Sequence, residues 1–104
     1  MLSLTVLYPK ADGSRFDLDY YLNTHTPLVK QRLMPEGMIS VDLRAGLALP
    51  APDSPLAYAM VCNLNFETIE QIQAALAKHG PKLIGDIPNF TNVQPLMQIS
   101  SSES

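Results

Sequence analysis

Apolar and small polar residues alternate along residues 2–8 of the chain, which is the spacing of a β-strand with one buried face. Turn-forming residues at positions 9–13 end this stretch. Three further strands are predicted at Met38–Leu47, Tyr58–Asn65 and Thr91–Ile99. Pro95 lies within the last of them, and because proline lacks a backbone donor, this strand is predicted to lie at the edge of a sheet.

The region between the first two strands has the spacing of an amphipathic helix. Asp17 is a suitable N-cap, and apolar residues at intervals of three and four between positions 18 and 33 form a single stripe. Pro27 interrupts the stripe, because it cannot donate the next helical hydrogen bond and it disfavours helical geometry at Thr26. We therefore expect two helical pieces that share one face, with Thr26 capping the second piece and residues 35–37 ending it.

A second helix is predicted after the third strand. Thr68 and Gln71 form a capping-box pattern at its start. Gly80 and Pro81 are expected to end it, with one further turn at residues 82–84.

The resulting order of elements, βαββαβ, is typical of an α+β protein with the ferredoxin-like arrangement. In this arrangement four antiparallel strands form one sheet, and both helices pack on a single face of it. We expect one domain over residues 1–99, followed by a polar tail at residues 100–104.

The composition indicates that part of the surface is covered by a second copy of the chain. Charged residues make up 16% of the sequence and hydrophobic residues 46%, whereas ordinary globular domains are roughly 25% charged. The open face of the sheet is predicted to be largely apolar, because residues of both parities in strands one and three are apolar. These residues are Leu4, Val6, Leu7, Tyr58, Met60, Val61 and Leu64. A homodimer formed through this face would shield it; a well-packed monomer with few surface charges is the alternative.

The charges and the single cysteine argue against several classes of partner and site. The net charge is −3 and the seven basic residues are scattered, so no nucleic-acid partner is expected. Cys62 alone forms neither an internal disulfide nor a paired-thiolate zinc site, and it is expected to pack as a small hydrophobic residue. No metal motif and no phosphate-binding glycine loop stand out. Because the sequence contains neither a signal-peptide pattern nor an apolar stretch of roughly 20 residues, we expect a soluble, cytoplasmic protein with no membrane partner.

His25 is the strongest candidate for chemistry. It lies on the apolar stripe beside Pro27, and histidine titrates near neutral pH, which suits general acid–base catalysis. The alternative interpretation is a hydrogen-bonded histidine of the core. His79, at the predicted C-terminus of the second helix, is expected to serve only as a cap.

The segment at residues 85–92 is rich in turn-forming residues and amides that could complete a site. Asp86 could orient a histidine, and Asn89 or Asn92 could hold a carbonyl or enolate oxygen. Alternatively, these residues only build the turn that leads into strand four.

Three tyrosines are the remaining candidates for contact with a substrate oxygen. Tyr20 precedes His25 on the first helix, and Tyr8 and Tyr58 lie on strands. The hydroxyl groups of the two strand tyrosines could point into a pocket or pack at an interface.

Four runs of the sequence together resemble the EthD family. They lie at residues 7–9, 15–22, 25–29 and 85–95 and include the motifs Asp-x-Asp-Tyr-Tyr, His-x-Pro and Gly-Asp-Ile-Pro-Asn-Phe-Thr-Asn. The combination is specific although each motif alone is weak, and it covers nearly the whole chain. The resemblance implies a dimeric α+β barrel. In this resemblance His25 matches the His-x-Pro histidine, and Asp86 and Asn89 match the second motif.

The resemblance implies a range of activities rather than one reaction. The family is named after a gene of ethyl tert-butyl ether degradation, and its barrel superfamily includes cofactor-free monooxygenases, polyketide cyclases, dehydratases, lactone isomerases and haem-degrading enzymes. We expect an enzyme without a cofactor, acting as an oxidoreductase, lyase or isomerase on a small hydrophobic or carbonyl-bearing metabolite. His25 would remove a proton next to a carbonyl, Asp86 would orient it, and Tyr20, Tyr58 or Asn89 would hold the oxyanion.

Two other functions remain open at this point. One is a non-catalytic accessory protein that binds a hydrophobic metabolite, for example in a stress response. The other is a haem-binding barrel with His25 as the axial ligand.

Overall fold

The computed structural model describes residues 1–103. Within this range the strands β1 (Leu2–Pro9), β2 (Ser40–Ala45), β3 (Tyr58–Phe66) and β4 (Leu96–Ser101) form one antiparallel sheet in the order β2-β3-β1-β4. The first helix ends at Leu33 and the second runs from Ile69 to Asp86. Both helices pack on the same face of the sheet, which confirms the predicted α+β, ferredoxin-like fold.

The alternation along β1 and β3 determines which side chains the helices cover. Leu4 lies opposite Leu64 and Val6 lies opposite Cys62 across the ladder, and all four side chains are buried. Side chains of both helices complete the same core. The covered face of the sheet is therefore the apolar one.

The open face of the sheet is mostly polar, so the prediction of a largely apolar open face is wrong. Ser3 and Thr5 of β1 donate side-chain hydrogen bonds to Asn65 and Asn63 of β3. Because successive side chains of a strand alternate between faces, most of the apolar residues that suggested an apolar face point towards the helices. The exceptions form one apolar row across three strands: Leu96, Leu7 and Val61.

The first helix is continuous from residue 18 to residue 33, so the prediction of two pieces is wrong. It consists of Leu18–Tyr20 with α geometry, Tyr21–His25 with π geometry and Thr26–Leu33 with α geometry. Thr26 does not act as a cap, because its backbone is helical and its N–H donates to the carbonyl oxygen of Tyr21, five residues earlier. The wider π turn accommodates Pro27, whose ring and missing N–H would disturb a regular α turn.

Both predicted helix starts are confirmed by hydrogen bonds. Asp17 Oδ1 accepts from the backbone N–H of Tyr20 at 3.0 Å. At the second helix, Thr68 Oγ1 accepts from the N–H of Gln71 at 3.1 Å, and Gln71 Oε1 accepts from the N–H of Thr68 at 3.2 Å. These contacts satisfy backbone donors that the first turn of a helix leaves unpaired.

The second helix continues past Gly80 and Pro81, so the predicted stop at these residues is wrong. Proline disfavours helical geometry in the preceding residue partly through contact with that residue's Cβ, and Gly80 has no Cβ. The turn beyond Pro81 also buries Leu83. His79 consequently lies inside the helix rather than at its C-terminus, with Nε2 3.6 Å from Glu36 Oε2.

Two strands differ from the prediction by more than one residue in their boundaries. β2 is shorter than predicted, and β4 starts at Leu96 and continues to Ser101, so Pro95 precedes the strand and the predicted tail begins later. β4 is an edge strand, as predicted. Ahead of it, Thr91 pairs with Phe16 in an isolated bridge that ties this segment to the start of the first helix. Within residues 1–103, none of the helices has both the length and the apolar character needed to cross a membrane.

Candidate functional site

The two helices bring His25 and Asp86 together. His25 is the last residue of the π segment, and Asp86 is the last residue of the second helix. His25 Nδ1 lies 2.9 Å from Asp86 Oδ2, and the two side chains are 6% and 12% exposed. The residues are 61 positions apart in sequence, so this contact depends on the packing of the helices against each other.

Two further side chains hold the Asp86 carboxylate. The Tyr20 hydroxyl donates to Asp86 Oδ1 at 2.7 Å, and Asn89 Nδ2 donates to the same oxygen at 2.9 Å. Burial alone would raise the pKa of Asp86, but the hydrogen bonds from Tyr20, Asn89 and His25 together lower the pKa below its ordinary value. The bond to Asp86 is the main cause that raises the pKa of Tyr20. Asp86 is therefore a carboxylate at neutral pH and accepts at both oxygens.

The ionised state of Asp86 determines the tautomer of His25. A carboxylate only accepts hydrogen bonds, so His25 Nδ1 must carry a proton and donate it to Asp86. In the neutral ring the other nitrogen, Nε2, is then the one with a free lone pair. Nε2 makes no hydrogen bond within residues 1–103 and is not among the enclosed polar atoms of that range. The histidine can thus accept a proton from a bound molecule.

Aromatic rings hold the imidazole in place. The ring of Tyr21 stacks on that of His25 with centroids 5.4 Å apart. The ring of Phe90 is tilted relative to that of His25, and their centroids are 4.6 Å apart. Tyr21 and Phe90 also contact each other at 5.1 Å. Both residues are almost fully buried, so the imidazole has little freedom to rotate.

His25 borders an apolar cavity of about 270 Å³ between the sheet and the two helices. Its walls come from β1, β3, β4 and both helices, and include Leu4, Val6, Tyr8, Leu33, Leu64 and Leu83. His25 and Tyr8 supply the polar side-chain atoms among its lining residues. Such a cavity favours an apolar molecule with one polar group placed against the imidazole.

Tyr8, whose hydroxyl on the sequence alone could point into a pocket or pack at an interface, lines the same cavity as His25. Its hydroxyl neighbours that of Tyr21, which in turn neighbours the thiol of Cys62. Burial is the main cause that raises the pKa of both tyrosines well above the ordinary value, and the nearby thiol adds to it. Burial also raises the pKa of Cys62 to about 11. All three groups therefore stay protonated at neutral pH, and Tyr8 remains a hydrogen-bond donor.

The structure places the other predicted substrate-binding residues away from the cavity. Tyr20 and Asn89 bind Asp86 rather than facing the space beside His25. Asn92 bonds to the backbone of Arg15 and Gly13 and so joins two loops. Tyr58, at the start of β3, lines neither of the two cavities that His25 borders.

A second, smaller cavity of about 40 Å³ also borders His25. Its walls include the side chains of Tyr21, Cys62 and Thr26. Thr26 Oγ1 is the one enclosed side-chain polar atom without a hydrogen-bond partner within residues 1–103. A space of this size is large enough for a water molecule that would satisfy the hydroxyl.

The haem alternative does not fit these cavities. A haem has two propionates, and no Lys or Arg lines either cavity that His25 borders. Within residues 1–103, no group of three or more His, Cys, Asp and Glu side chains is arranged to hold a metal ion.

Comparisons with known proteins agree with this fold. No protein-family model matches the chain, and no curated protein matches it either. Among solved structures, an EthD-like protein from Ralstonia eutropha JMP134 is 36% identical with a TM-score of 0.89, over 96% of this chain and 89% of the other. An EthD family protein from Bacillus halodurans C-125 shares the fold, with 19% identity, a TM-score of 0.76 and 99% of both chains covered. On the identity and coverage of the first of these, the chain belongs to the EthD-like family.

Proposed function

We propose that the protein is a cofactor-free enzyme that removes a proton next to the carbonyl group of a small apolar metabolite. The observation that carries the proposal is the pair formed by His25 and Asp86, with Nδ1 donating to the carboxylate, Nε2 without a hydrogen-bond partner within residues 1–103, and the residue in the wall of an apolar cavity. This is the arrangement of a general base whose tautomer is set by a carboxylate.

The proton transfer balances within the site. Nε2 takes the proton from the carbon next to the carbonyl, and the electron pair of the C–H bond moves into an enolate. His25 becomes an imidazolium, which the adjacent Asp86 carboxylate stabilises. Returning the proton to the same or another carbon gives exchange or isomerisation, and His25 is then neutral again.

Tyr8 is the group that would stabilise the enolate oxygen. It lines the same cavity as His25, and its raised pKa keeps the hydroxyl protonated. A donor placed where negative charge develops lowers the barrier most when water is excluded. Tyr20 and Asn89 act through Asp86 and are positioning residues.

A non-catalytic binding protein is the second candidate, favoured by the apolar lining of the cavity. In that case His25 would only be a hydrogen-bonded residue of the core. The two functions differ in one measurable property, which is proton exchange at a carbon of the bound molecule.

We expect the protein to accelerate exchange of the α-protons of 2-tetralone, a small apolar ketone, in buffered D2O followed by NMR. The exchange rate of a His25→Ala variant should be at least about a hundredfold lower than that of the wild type, because the variant lacks the base. Weak 2-tetralone binding without accelerated exchange would support the binding protein instead.

His79→Ala is the matched control for this experiment. It removes the other histidine of the chain, which lies beside Glu36, is 14% exposed and borders neither cavity at His25. Its exchange rate should equal that of the wild type. Equal rates in His25→Ala and the wild type would contradict the proposed base.

We also propose that a second copy of the chain covers the open face of the sheet. The proposal is supported by the low charge content and by the apolar row of Leu96, Leu7 and Val61, in which Leu96 is 54% exposed. Two copies related by a two-fold axis would bury both rows.

Sedimentation should show a particle of twice 11.4 kDa at micromolar concentration. A Leu96→Glu variant is expected to dissociate, because the new carboxylate would be buried in the interface. Ile69→Glu, at an apolar position of the second helix that is 43% exposed, should leave the dimer intact. A wild-type monomer would contradict this arrangement.

A further inference from the structure

The cavity beside His25 opens between β4 and the second helix. Met97 lies opposite Val6 and therefore on the helix-facing side of β4, yet it is 43% exposed. Ile84 faces the same opening from the second helix and is 52% exposed. The helix thus leaves the edge strand partly uncovered at this point.

A further cavity of about 350 Å³ begins at this opening. Three residues line both cavities, and they are Ile84, Ile87 and Met97. The outer walls come from residues 88–95, the segment between the second helix and β4. The two cavities therefore form the inner and outer parts of one groove.

The inner and outer parts differ in polarity. The inner part is apolar except at His25 and Tyr8, whereas the outer part has the side chains of Thr91, Asn92 and Gln94. The Thr91 hydroxyl donates to the carbonyl oxygen of Arg15, and the Asn92 amide is bonded at both ends. Gln94 makes no side-chain hydrogen bond within residues 1–103, so its amide is available to a ligand.

Neither part of the groove has an acidic or basic side chain in its lining other than His25. A charged end group would find no counter-ion in either part and would lose its hydration on binding. The groove therefore favours a neutral molecule.

We propose that the groove binds an elongated neutral amphiphile, with a carbonyl at the inner end beside His25 and a hydrogen-bonding group at the outer end beside Gln94. This inference rests on the proposed function and names its class of substrate. Together the two parts are within the range of about 300–1,000 Å³ that is typical for drug-sized ligands. Met97 and Ile84 form the junction that the chain of the ligand crosses.

Binding of a series of 2-alkanones tests the length of the groove. Affinity, measured by NMR titration, should rise about threefold to fourfold per added methylene from 2-pentanone to 2-undecanone, because each methylene becomes buried. An affinity that stops rising at 2-heptanone would overturn the proposal, since the outer part would then not be used.

A Met97→Trp variant tests the junction. The larger side chain should lower the affinity for 2-undecanone by a factor at least about ten times larger than the factor by which it lowers the affinity for 2-pentanone. Ile84→Trp should act in the same way from the opposite wall, whereas Ile69→Trp, on the same helix but outside both parts, should have no effect. Unchanged 2-undecanone affinity in both junction variants would contradict the two-part groove.

The role of Gln94 is tested with 10-hydroxy-2-decanone. Gln94→Leu should lower its affinity about threefold to fivefold relative to 2-decanone, as expected for one lost hydrogen bond at an exposed position. Gln98→Leu, on the open face of the sheet, is the control and should lower neither affinity. If Gln94→Leu also leaves the affinities for 10-hydroxy-2-decanone and 2-decanone unchanged, Gln94 does not contact the outer end of the ligand.

These measurements are independent of catalysis. His25→Ala should retain the dependence of affinity on the length of the 2-alkanone. Length-dependent binding without α-proton exchange would therefore contradict the proposed function but not the two-part groove. Exchange of the α-protons of 2-tetralone without length-dependent binding of 2-alkanones would contradict the groove but not the role of His25 as the base.

Discussion

A Phe90→Ala variant is expected to lose about 3–5 kcal/mol of the free energy of unfolding. Phe90 is fully buried, and its ring contacts five others at centroid distances between 4.6 and 6.3 Å. These rings belong to Tyr8, Phe16, Tyr20, Tyr21 and His25. Five of the seven aromatic residues of the chain, Phe90 included, thus lie in one cluster, and the substitution would leave a cavity at its centre.

Urea unfolding of the variant and the wild type measures this loss. Phe66→Ala is the control for stability, because Phe66 is equally buried but lies outside the aromatic cluster. We expect a similar loss for both alanine variants. A loss below about 1 kcal/mol for Phe90→Ala would show that the cluster does not form as described.

The milder variants Phe90→Leu and Phe66→Leu separate stability from the site. Only Phe90 touches the His25 ring, so only Phe90→Leu should lower the rate of 2-tetralone exchange in the folded protein. A reduced rate in both variants would indicate a general effect of weakened packing. This comparison tests whether the cluster holds the imidazole in its working orientation.

The strands and the order of elements could be predicted because they follow from local patterns. The period of two along β1 and the capping residues Asp17 and Thr68 act over a few neighbours. The two proline predictions failed for the opposite reason. Proline is a helix breaker in isolation, but at Pro27 a π turn and at Pro81 a preceding glycine and a buried Leu83 allow the helix to continue.

The error about the open sheet face has a different origin. The prediction took apolar residues at both parities of β1 and β3 as evidence for an apolar open face. The register places Leu4 and Leu64 on the covered side, whereas Leu7 and Val61 share the open side with polar residues such as Ser3 and Asn65. Reading each strand at period two would have separated the faces before the structure was known. The same reading places Tyr8 with Leu4 on the covered face.

The central pair of the candidate site could be predicted from the sequence, but the residues that hold the carboxylate could not. A histidine on an apolar stripe and one acid in a segment rich in turn-forming residues are visible in the sequence, and His25 and Asp86 do lie together. The contacts of Tyr20 and Asn89 with Asp86 are invisible there, because they depend on how the end of one helix packs against the other. The two residues were therefore predicted to hold substrate, whereas the structure places them behind the carboxylate.

An Asp86→Asn variant is expected to exchange the α-protons of 2-tetralone roughly 10²–10⁴-fold more slowly than the wild type. Tyr20 and Asn89 both donate to Oδ1, so the oxygen of the new amide will take that position. Its NH₂ group then faces His25 and donates to Nδ1. The proton of the ring moves to Nε2, and the nitrogen beside the cavity is no longer a base.

The tautomer itself can be observed, which separates this mechanism from a loss of packing. The ¹⁵N shifts of the His25 ring should show the proton on Nδ1 in the wild type and on Nε2 in Asp86→Asn. Asp19→Asn alters an exposed carboxylate in the first turn of the helix that carries His25. It should change neither the ¹⁵N shifts of His25 nor the exchange rate. A wild-type tautomer in Asp86→Asn would contradict the proposed positioning role.

Acid unfolding provides a second, independent check on Asp86. Its pKa is lowered in the folded protein from the ordinary 3.8, so below this value the unfolded chain takes up the proton first. The stabilisation from the carboxylate is therefore present above pH 3.8 and is lost as the pH falls through the lowered folded-state pKa. Asp86→Asn has no such group, and its free energy of unfolding should fall less than that of the wild type between about pH 5 and about pH 2.5. If the two proteins lose stability in parallel, the hydrogen bonds from Tyr20, Asn89 and His25 do not favour the ionised carboxylate, and the tautomer argument loses its basis.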